Sequence, residues 1–391
     1  MNLPLTATAP PPARHQARGF LPFELERDLS RYEYAVAYNL SESGVHPMRV
    51  DELYADAPEK LEALNRLLLG YAPGLGLPEL REGIASTYEG ATAENVIACV
   101  GAIEANFAAM TTVTRPGDEV VLMRPNYQQL YGVATNHGLQ TKEFALLPEQ
   151  GFAPDLDQLR DAVTPQTKLI AVCHPNNPCG RALTGAEMDA VIEIADRVGA
   201  WILADEVYRG SERQGEAFTP SFFGRYDKVM AVGSTSKAYG LPGLRLGWVT
   251  TDPETVDQVW ARREYLSLCT ALVANHMAAH ALNRPTRDRV VARTRKLIRD
   301  GYNLLADWID QQNGAVELTA HDASAITLLK VNLPDFDSRQ YVDELREQHS
   351  VLLAPGDHLG VPGHVRISFG LDLDYLNAGL DRITAYHATR S

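Results

Sequence analysis

The sequence predicts an α/β protein: a large, mostly parallel sheet domain with helices on both faces, followed by a smaller α+β C-terminal domain. Three observations carry this expectation. Apolar runs of strand length alternate with amphipathic stretches from about residue 51 to 285. Most of these runs are continuously apolar rather than alternating, the pattern of strands buried on both faces. After Arg284 the rhythm changes to one long amphipathic stretch, 286–312, and then to shorter mixed segments. Residues 1–50 are expected to form an N-terminal arm and lead-in segment, 51–285 the large α/β domain and 286–391 the small domain.

The elements follow in order. The first nineteen residues, MNLPLTATAPPPARHQARG, hold three consecutive prolines and no apolar core run; they read as a flexible arm and not as a secretory signal. Strands are predicted at 95–100, 119–123, 168–173, 201–204, 228–232 and 245–250, and helices between them at 102–112 and 186–198. Strand, helix, strand in this succession specifies a parallel sheet with helical crossovers. One long helix is predicted over 286–312. The segments 316–318, 325–331, 338–348, 351–353, 365–369 and 374–388 complete a smaller α+β unit.

The composition excludes several classes. Of 391 residues 45% are hydrophobic and 22% charged, with a formal net charge of −14; a phosphate-backbone partner favours a basic surface, so nucleic acid is not expected. A locally basic stretch (Arg287, Arg289, Arg293, Arg295, Lys296) reads as a solvated helix face. The four cysteines, Cys99, Cys173, Cys179 and Cys269, form no CxxC pair, which points away from disulfides and zinc and towards a reducing cytoplasm. No apolar run reaches the ~20 residues of a membrane span.

Six places carry chemistry. Gly233-Ser-Thr-Ser-Lys237-Ala-Tyr-Gly-Leu-Pro-Gly-Leu-Arg245 follows an apolar strand. A lone lysine is ordinarily a solvated surface residue, but one at the end of a buried strand, flanked by hydroxyls and a glycine-rich turn, can form a Schiff base with an aldehyde cofactor. Ser234 and Ser236 can donate to a phosphate and Arg245 can grip it as a fork. Asp205, in Ala204-Asp205-Glu-Val-Tyr208, lies at the end of a predicted strand, where α/β sheets bind ligands; an acid there can pair with a protonated pyridine nitrogen. Asn177, in His174-Pro-Asn-Asn177-Pro-Cys-Gly180, sits in a rigid turn and can hydrogen-bond a phenolic oxygen. Val100-Gly101-Ala102-Ile103 opens a helix whose bare N–H groups favour phosphate. Tyr127 can stack on a ring or serve as a core aromatic. Arg366, inside the apolar run Val365-Arg366-Ile-Ser-Phe, calls for a partner, either a substrate carboxylate or an internal acid.

In this order the motifs resemble the fold-type I pyridoxal-phosphate enzymes of the class I/II aminotransferase family, over about residues 30–391. The resemblance implies the aspartate-aminotransferase-like fold, the cofactor pyridoxal 5′-phosphate, an α-amino-acid substrate and a homodimer with shared active sites. By resemblance, Lys237 holds the cofactor and carries the proton, and Asp205 partners the pyridine nitrogen. Tyr208 and Asn177 bind the ring oxygen, and Tyr127 stacks. Gly101, Ala102, Ser234, Ser236 and Arg245 form the phosphate cup, Arg366 clamps the substrate carboxylate, and Tyr71 reaches the neighbouring subunit's phosphate. Two positions depart from the family pattern. Cys179 stands where the turn usually carries Thr, and reads as a replacement rather than a nucleophile. In Tyr38-Asn39-Leu40-Ser41-Glu42-Ser43-Gly44-Val45-His46, Gly44 is placed near the substrate carboxylate, but Glu42 precedes it. That segment is similar to a branch that includes capreomycidine synthase, and to aminocyclopropane-carboxylate synthase. Glu42 and His46 are therefore candidates to contact a cationic or polar substrate side chain, with an exposed segment as the other reading.

Three functional readings stay in view. An aminotransferase is favoured. Elimination, cyclisation or replacement on an arginine derivative or S-adenosylmethionine uses the same first step. A cofactor-binding regulator or inactive scaffold is the third; regulators of this fold carry an added DNA-binding domain, for which the chain has no spare length. No second arginine announces a dicarboxylate substrate, with Arg31, Arg209 and Arg262 as open candidates.

Overall fold

The structure, a computed structural model, describes residues 19–319 and 321–390; most of the proline-rich arm lies outside the described residues. A short strand β1 (Tyr38–Asn39) precedes the eight strands of the large sheet: β2 (Val96–Cys99), β3 (Glu119–Arg124), β4 (Gln140–Leu147), β5 (Ala153–Pro154), β6 (Thr167–Cys173), β7 (Trp201–Asp205), β8 (Val229–Ser234) and β9 (Gly247–Thr250). Their order in space is β2-β9-β8-β7-β6-β3-β4-β5. β8, β7, β6, β3 and β4 run parallel. β9 lies antiparallel between β2 and β8, and β5 is antiparallel to β4. The sheet is thus mostly parallel, as the continuously apolar runs predict.

The alternation of side chains across the sheet explains those runs. Val96, Ala98, Val121, Met123, Ile170, Val172, Ile202 and Ala204 face one core, shared with the helices Pro78–Ala85, Gly185–Val198 and Leu272–Leu282. Their neighbours Ile97, Cys99, Val120, Leu122, Leu169, Ala171 and Leu203 face the other, shared with the helices Gly101–Val113 and Pro253–Arg263. Both faces are covered, so both sets of residues must be apolar. Helix ends are set locally. Thr184 caps Gly185–Val198 in a reciprocal box with Glu187, and Gly199 closes it in a left-handed conformation; Asp252 caps Pro253–Arg263. Each such N-cap contributes about 1 kcal/mol.

The chain leaves β3 towards β4 and β5, but leaves β6 in the opposite direction, towards β7 and β8. The crevice beyond the carboxyl ends of β3 and β6 is therefore a topological switch point, where open α/β sheets place ligands.

The C-terminal part adds β10 (Val316–Leu318), β11 (Ile326–Val331), β12 (Val351–Leu352), β13 (Ala354–Pro355) and β14 (His364–Ser368). An antiparallel sheet runs β10-β11-β14-β13, and β1 pairs in parallel with β12. Helix Arg284–Asp310 spans two cores: Val290 and Val291 pack with the large sheet, Ile298, Leu305 and Trp308 with the small one. Leu40 and Val45 also join the small core.

The basic stretch of this helix departs from expectation. Arg289 donates to the carbonyls of Glu52 and Leu53 and to Asp56, Arg293 donates to the His46 carbonyl, and Arg295 is buried against Glu212 and Glu216. Only Lys296, paired with Asp300, lies on an exposed face. The face is not simply solvated: long side chains reach across it and staple the neighbouring segments 46–56 and 212–217 to the helix.

Candidate active site

A cleft of about 700 Å³ opens at the carboxyl edge of the large sheet. Strand ends supply its floor: Asp205 and Tyr208 at and just beyond β7, Ser234 at the end of β8, then Ser236 and Lys237, and Asn177 after β6. The start of helix Gly101–Val113, Tyr127, Arg245, the segment with Glu42 and Ser43, and helix Glu24–Tyr32 complete the walls.

One end of the cleft is a bare cradle. Gly101 has a φ of +72°, and a Cβ built on it would lie 2.5 Å from Nη2 of Arg245. A Cβ on Gly247 would lie 2.5 Å from the backbone nitrogen of Ala102. Only glycine at both positions lets the guanidinium close over a helix N-terminus. Ala102, Ile103, Ser234 and Ser236 line the same end. Ser234 Oγ accepts the N–H of Ser236 at 3.1 Å. First-turn N–H groups, two hydroxyls and a fixed fork make a donor set for a phosphate dianion.

Asp205 is buried, and its carboxylate accepts from Asn106 Nδ2 at 2.8 Å and from the Val207 N–H at 3.2 Å. Burial raises its pKa, while those hydrogen bonds and the charge of Lys237 oppose the rise. Among the described residues it has no ion-pair partner; a cation on the ligand would compensate it. Lys237 is half-buried, and desolvation lowers its amine, with Glu42 and Glu26 opposing. Its Nζ donates to Ser43 Oγ at 2.6 Å. Gly44 packs against it, with an ideal Cβ 3.9 Å from Lys237 Cδ.

Arg366 is buried and donates to Asn177 Oδ1 at 3.0 Å and to the Ser41 carbonyl at 2.7 Å. Its Nε has no partner, and no carboxylate pairs with it among the described residues. The internal-acid reading therefore finds no acid. The bond from Arg366 commits the Asn177 oxygen and leaves the Asn177 amide nitrogen as the donor. Tyr208 OH donates to the Ser43 carbonyl at 3.2 Å. Tyr127 lines the cleft, donates its hydroxyl to Glu26 at 2.7 Å and has the Phe23 ring 5.1 Å behind it.

The structure thus gathers Lys237, Asp205, Tyr208, Asn177, Tyr127, Ser234, Ser236, Arg245, Gly101, Ala102, Ile103, Glu42, Gly44 and Arg366 in and around one site. It does not bring His46 into the cleft lining: that residue is exposed, and its backbone bonds Gly370 and Arg293. Tyr71 is 86% exposed, outside the cleft of its own chain. Of the open arginine candidates, Arg31 pairs with Asp28, Arg209 with Glu206, and Arg262 bonds the carbonyls of Thr111 and Thr112; none lines the cleft. Cys179 is buried, donates to Asn176 Oδ1 at 3.0 Å, and its thiol is pushed up to about 12 by burial. It is no nucleophile. Asn106, Ser43, Glu26 and Glu33 are site residues that sequence reasoning missed. The one available signal was Asn106, a polar residue within the otherwise apolar helix stretch, which needs a partner when buried.

The donor set fits pyridoxal 5′-phosphate: a phosphate cradle, a lysine amine at the cleft floor, and a buried carboxylate left for a ring cation. Comparisons with known proteins agree. The family model for aminotransferase class I and II matches residues 39–383. Capreomycidine synthase from Streptomyces vinaceus is 30% identical over 381 residues, 96% of each chain. The aspartate/prephenate aminotransferase of Thermus thermophilus is 29% identical over 356 residues, 84% of this chain and 87% of its own. A solved PLP-dependent aminotransferase from Streptococcus suis superposes with a TM-score of 0.89 at 29% identity, over 95% of this chain and 99% of that one. With a family match across most of its length and this site at the sheet's carboxyl edge, the chain belongs to the class I and II aminotransferase family, as a pyridoxal-phosphate-dependent enzyme with the aspartate-aminotransferase-like fold.

Proposed function

We propose that this enzyme is an aminotransferase for an α-amino acid whose side chain is positively charged. The observation that carries the reading is the polarity of the cleft. Lys237 and Asp205 sit at its floor, and three carboxylates, Glu26, Glu33 and Glu42, line it from the N-terminal side. None of the three has an ion-pair partner among the described residues, and burial together with Glu42 and Glu26 raises Glu33. Among the described residues Lys237 and Arg245 are the only lysine and arginine in the lining, and none there awaits a second carboxylate, whereas a cationic side chain would relieve the mutual repulsion.

When bound, the cofactor supplies an aldehyde to join the substrate amine and a ring that takes up the electrons left on Cα. The chain supplies the rest. Ser234, Ser236, Arg245 and the N–H groups after Gly101 would hold the phosphate. Asp205 would favour a positive charge on the ring nitrogen, and Tyr208 and Asn177 would bind the ring oxygen. Arg366 orients the substrate carboxylate with two parallel hydrogen bonds, and Gly44 leaves room for it. Lys237, whose amine desolvation lowers, would take the Cα proton on Nζ as general base. In transamination the same Nζ, at the cleft floor beside Ser43, would serve as the two-way proton carrier.

A second reading is favoured by Glu42 in the cleft wall and by the 96% coverage of capreomycidine synthase: the same proton abstraction, followed by loss of a side-chain leaving group, cyclisation or replacement. The segment 66–74, with Leu68, Leu69 and Tyr71 exposed, bridges to the loop at Ala271 near exposed Tyr265, Leu266 and Leu268. So large an exposed apolar set supports a homodimer in which Tyr71 serves the neighbouring site. The free, unpaired cysteines suit a cytoplasmic setting, and no helix among the described residues is long and apolar enough to cross a membrane.

The test is an absorbance scan of the purified enzyme with a panel of amino acids, including arginine, hydroxyarginine and S-adenosylmethionine, and no keto acid. A cationic substrate that converts the cofactor band to its amine form, restored by a keto acid, supports transamination. Turnover with the band intact establishes the second reading. A preference for aspartate or glutamate would contradict the proposed substrate class.

A further inference from the structure

The segment just after β1 reaches three functional residues within three positions. The Ser41 carbonyl accepts from Arg366, the Ser43 carbonyl accepts from Tyr208, and the Ser43 hydroxyl accepts from Lys237. This is no free loop. On one side Leu40 donates to the Leu352 carbonyl and accepts from Ser368; on the other His46 donates to Gly370. The small sheet therefore fixes both ends of the segment, and its position fixes where Ser43 meets a lysine 194 residues away in sequence. Gly44 packs alongside, where an ideal Cβ would stand 3.5 Å from the Ser236 carbonyl oxygen and 3.9 Å from Lys237 Cδ. Ser43 Oγ is the only hydrogen-bond partner of Lys237 Nζ among the described residues.

We propose that Ser43 is a further catalytic residue, whose hydroxyl holds the ε-amino group of Lys237 in position while that amine takes the substrate proton. In that step the Cα–H bond breaks, an N–H bond forms on Nζ, and the electron pair stays on the Cα side. The resulting ammonium has three N–H bonds, and Ser43 Oγ retains one of them. This keeps the other two on the cleft side, where the proton must next be delivered. The inference rests on Lys237 being the cofactor lysine.

Desolvation disfavours the charge of Lys237, Glu42 and Glu26 favour it, Arg366 and Arg245 oppose it, and Glu33, Asp205, Tyr127 and Tyr208 also face the cleft. Ser43 is neutral and can be replaced without changing the net charge of this shell. In the full-length chain freed of cofactor, Lys237 is labelled with a small acylating reagent across a pH series, and its peptide is quantified by mass spectrometry. Ser43→Ala should lower the midpoint by about one pH unit, because the ammonium loses an acceptor; Ser43→Thr, which keeps the hydroxyl, should restore it. In the holoenzyme, Ser43→Ala should lose about tenfold or more in kcat with KM nearly unchanged. Equal midpoints for Ser43→Ala and the parent, or a change confined to KM, would overturn the proposal. Failure of the underlying reading is separable, since it would show as cofactor fixed to a lysine other than Lys237.

Discussion

Asp205 and Arg366 are opposite charges that the folded chain buries without an ion-pair partner among the described residues. Burying unpaired charge is costly, and such a cost survives where a ligand pays it back. Arg366 makes the sharper test, because its geometry distinguishes a fork from a point charge. Arg366→Lys keeps the charge but loses the paired donors, so kcat/KM for an amino acid should fall by about tenfold to a hundredfold, or about 1.4 to 2.8 kcal/mol. Unchanged kinetics would remove the residue from substrate binding. Both residues were legible in the sequence, since a charge at a strand end or inside an apolar run stands out against its neighbours. His46 was drawn into the site by its closeness to Glu42 in sequence. The backbone turns at Gly44 and Val45 to join the small core, which leaves the His46 side chain outside the cleft.

Helix Gly101–Val113 is the element on which the cofactor reading leans most. It brings its bare N-terminus under Arg245, and one turn further in it brings Asn106 to Asp205. Gly101→Ala would place a Cβ in a left-handed backbone conformation and against the guanidinium. The methyl would push the guanidinium off the helix N-terminus, so the dissociation constant for the cofactor should rise about tenfold, or about 1.4 kcal/mol, measured by dialysis and absorbance. Retention equal to the parent would mean that the phosphate lies elsewhere. The strand-helix alternation around this element was readable because both faces of the sheet are covered. β4 was not, because its first half, Gln140 to Glu143, faces water and lacks an apolar run. Helix Glu24–Tyr32, which adds Glu26 to the cleft, was hidden for a similar reason: only Leu25 on it is buried, and its sequence is mostly polar. The order of strands was also beyond the sequence, since pairing depends on residues far apart in the chain.

At the scale of the whole molecule, two cores meet along one helix, and each body contributes a buried histidine. Burial pushes His174 and His321 down to about 3. A histidine that titrates near 6.5 when unfolded but stays neutral when folded contributes stability that is complete above about pH 6.5 and is lost progressively as pH falls towards 3. Within that window each such histidine costs about 1.4 kcal/mol per pH unit. The melting temperature should therefore drop from pH 7 to pH 5, and His174→Gln should flatten that slope; an unaltered slope would exclude His174 as its source. In the cleft between these bodies, Lys237 is the residue proposed to carry pyridoxal 5′-phosphate. The most direct measurement is borohydride reduction of the purified enzyme, followed by proteolysis and mass spectrometry. A phosphopyridoxyl group is expected on the peptide containing Lys237, and none in Lys237→Ala. A modified peptide containing any other lysine, or the same yield from Lys237→Ala, would contradict it.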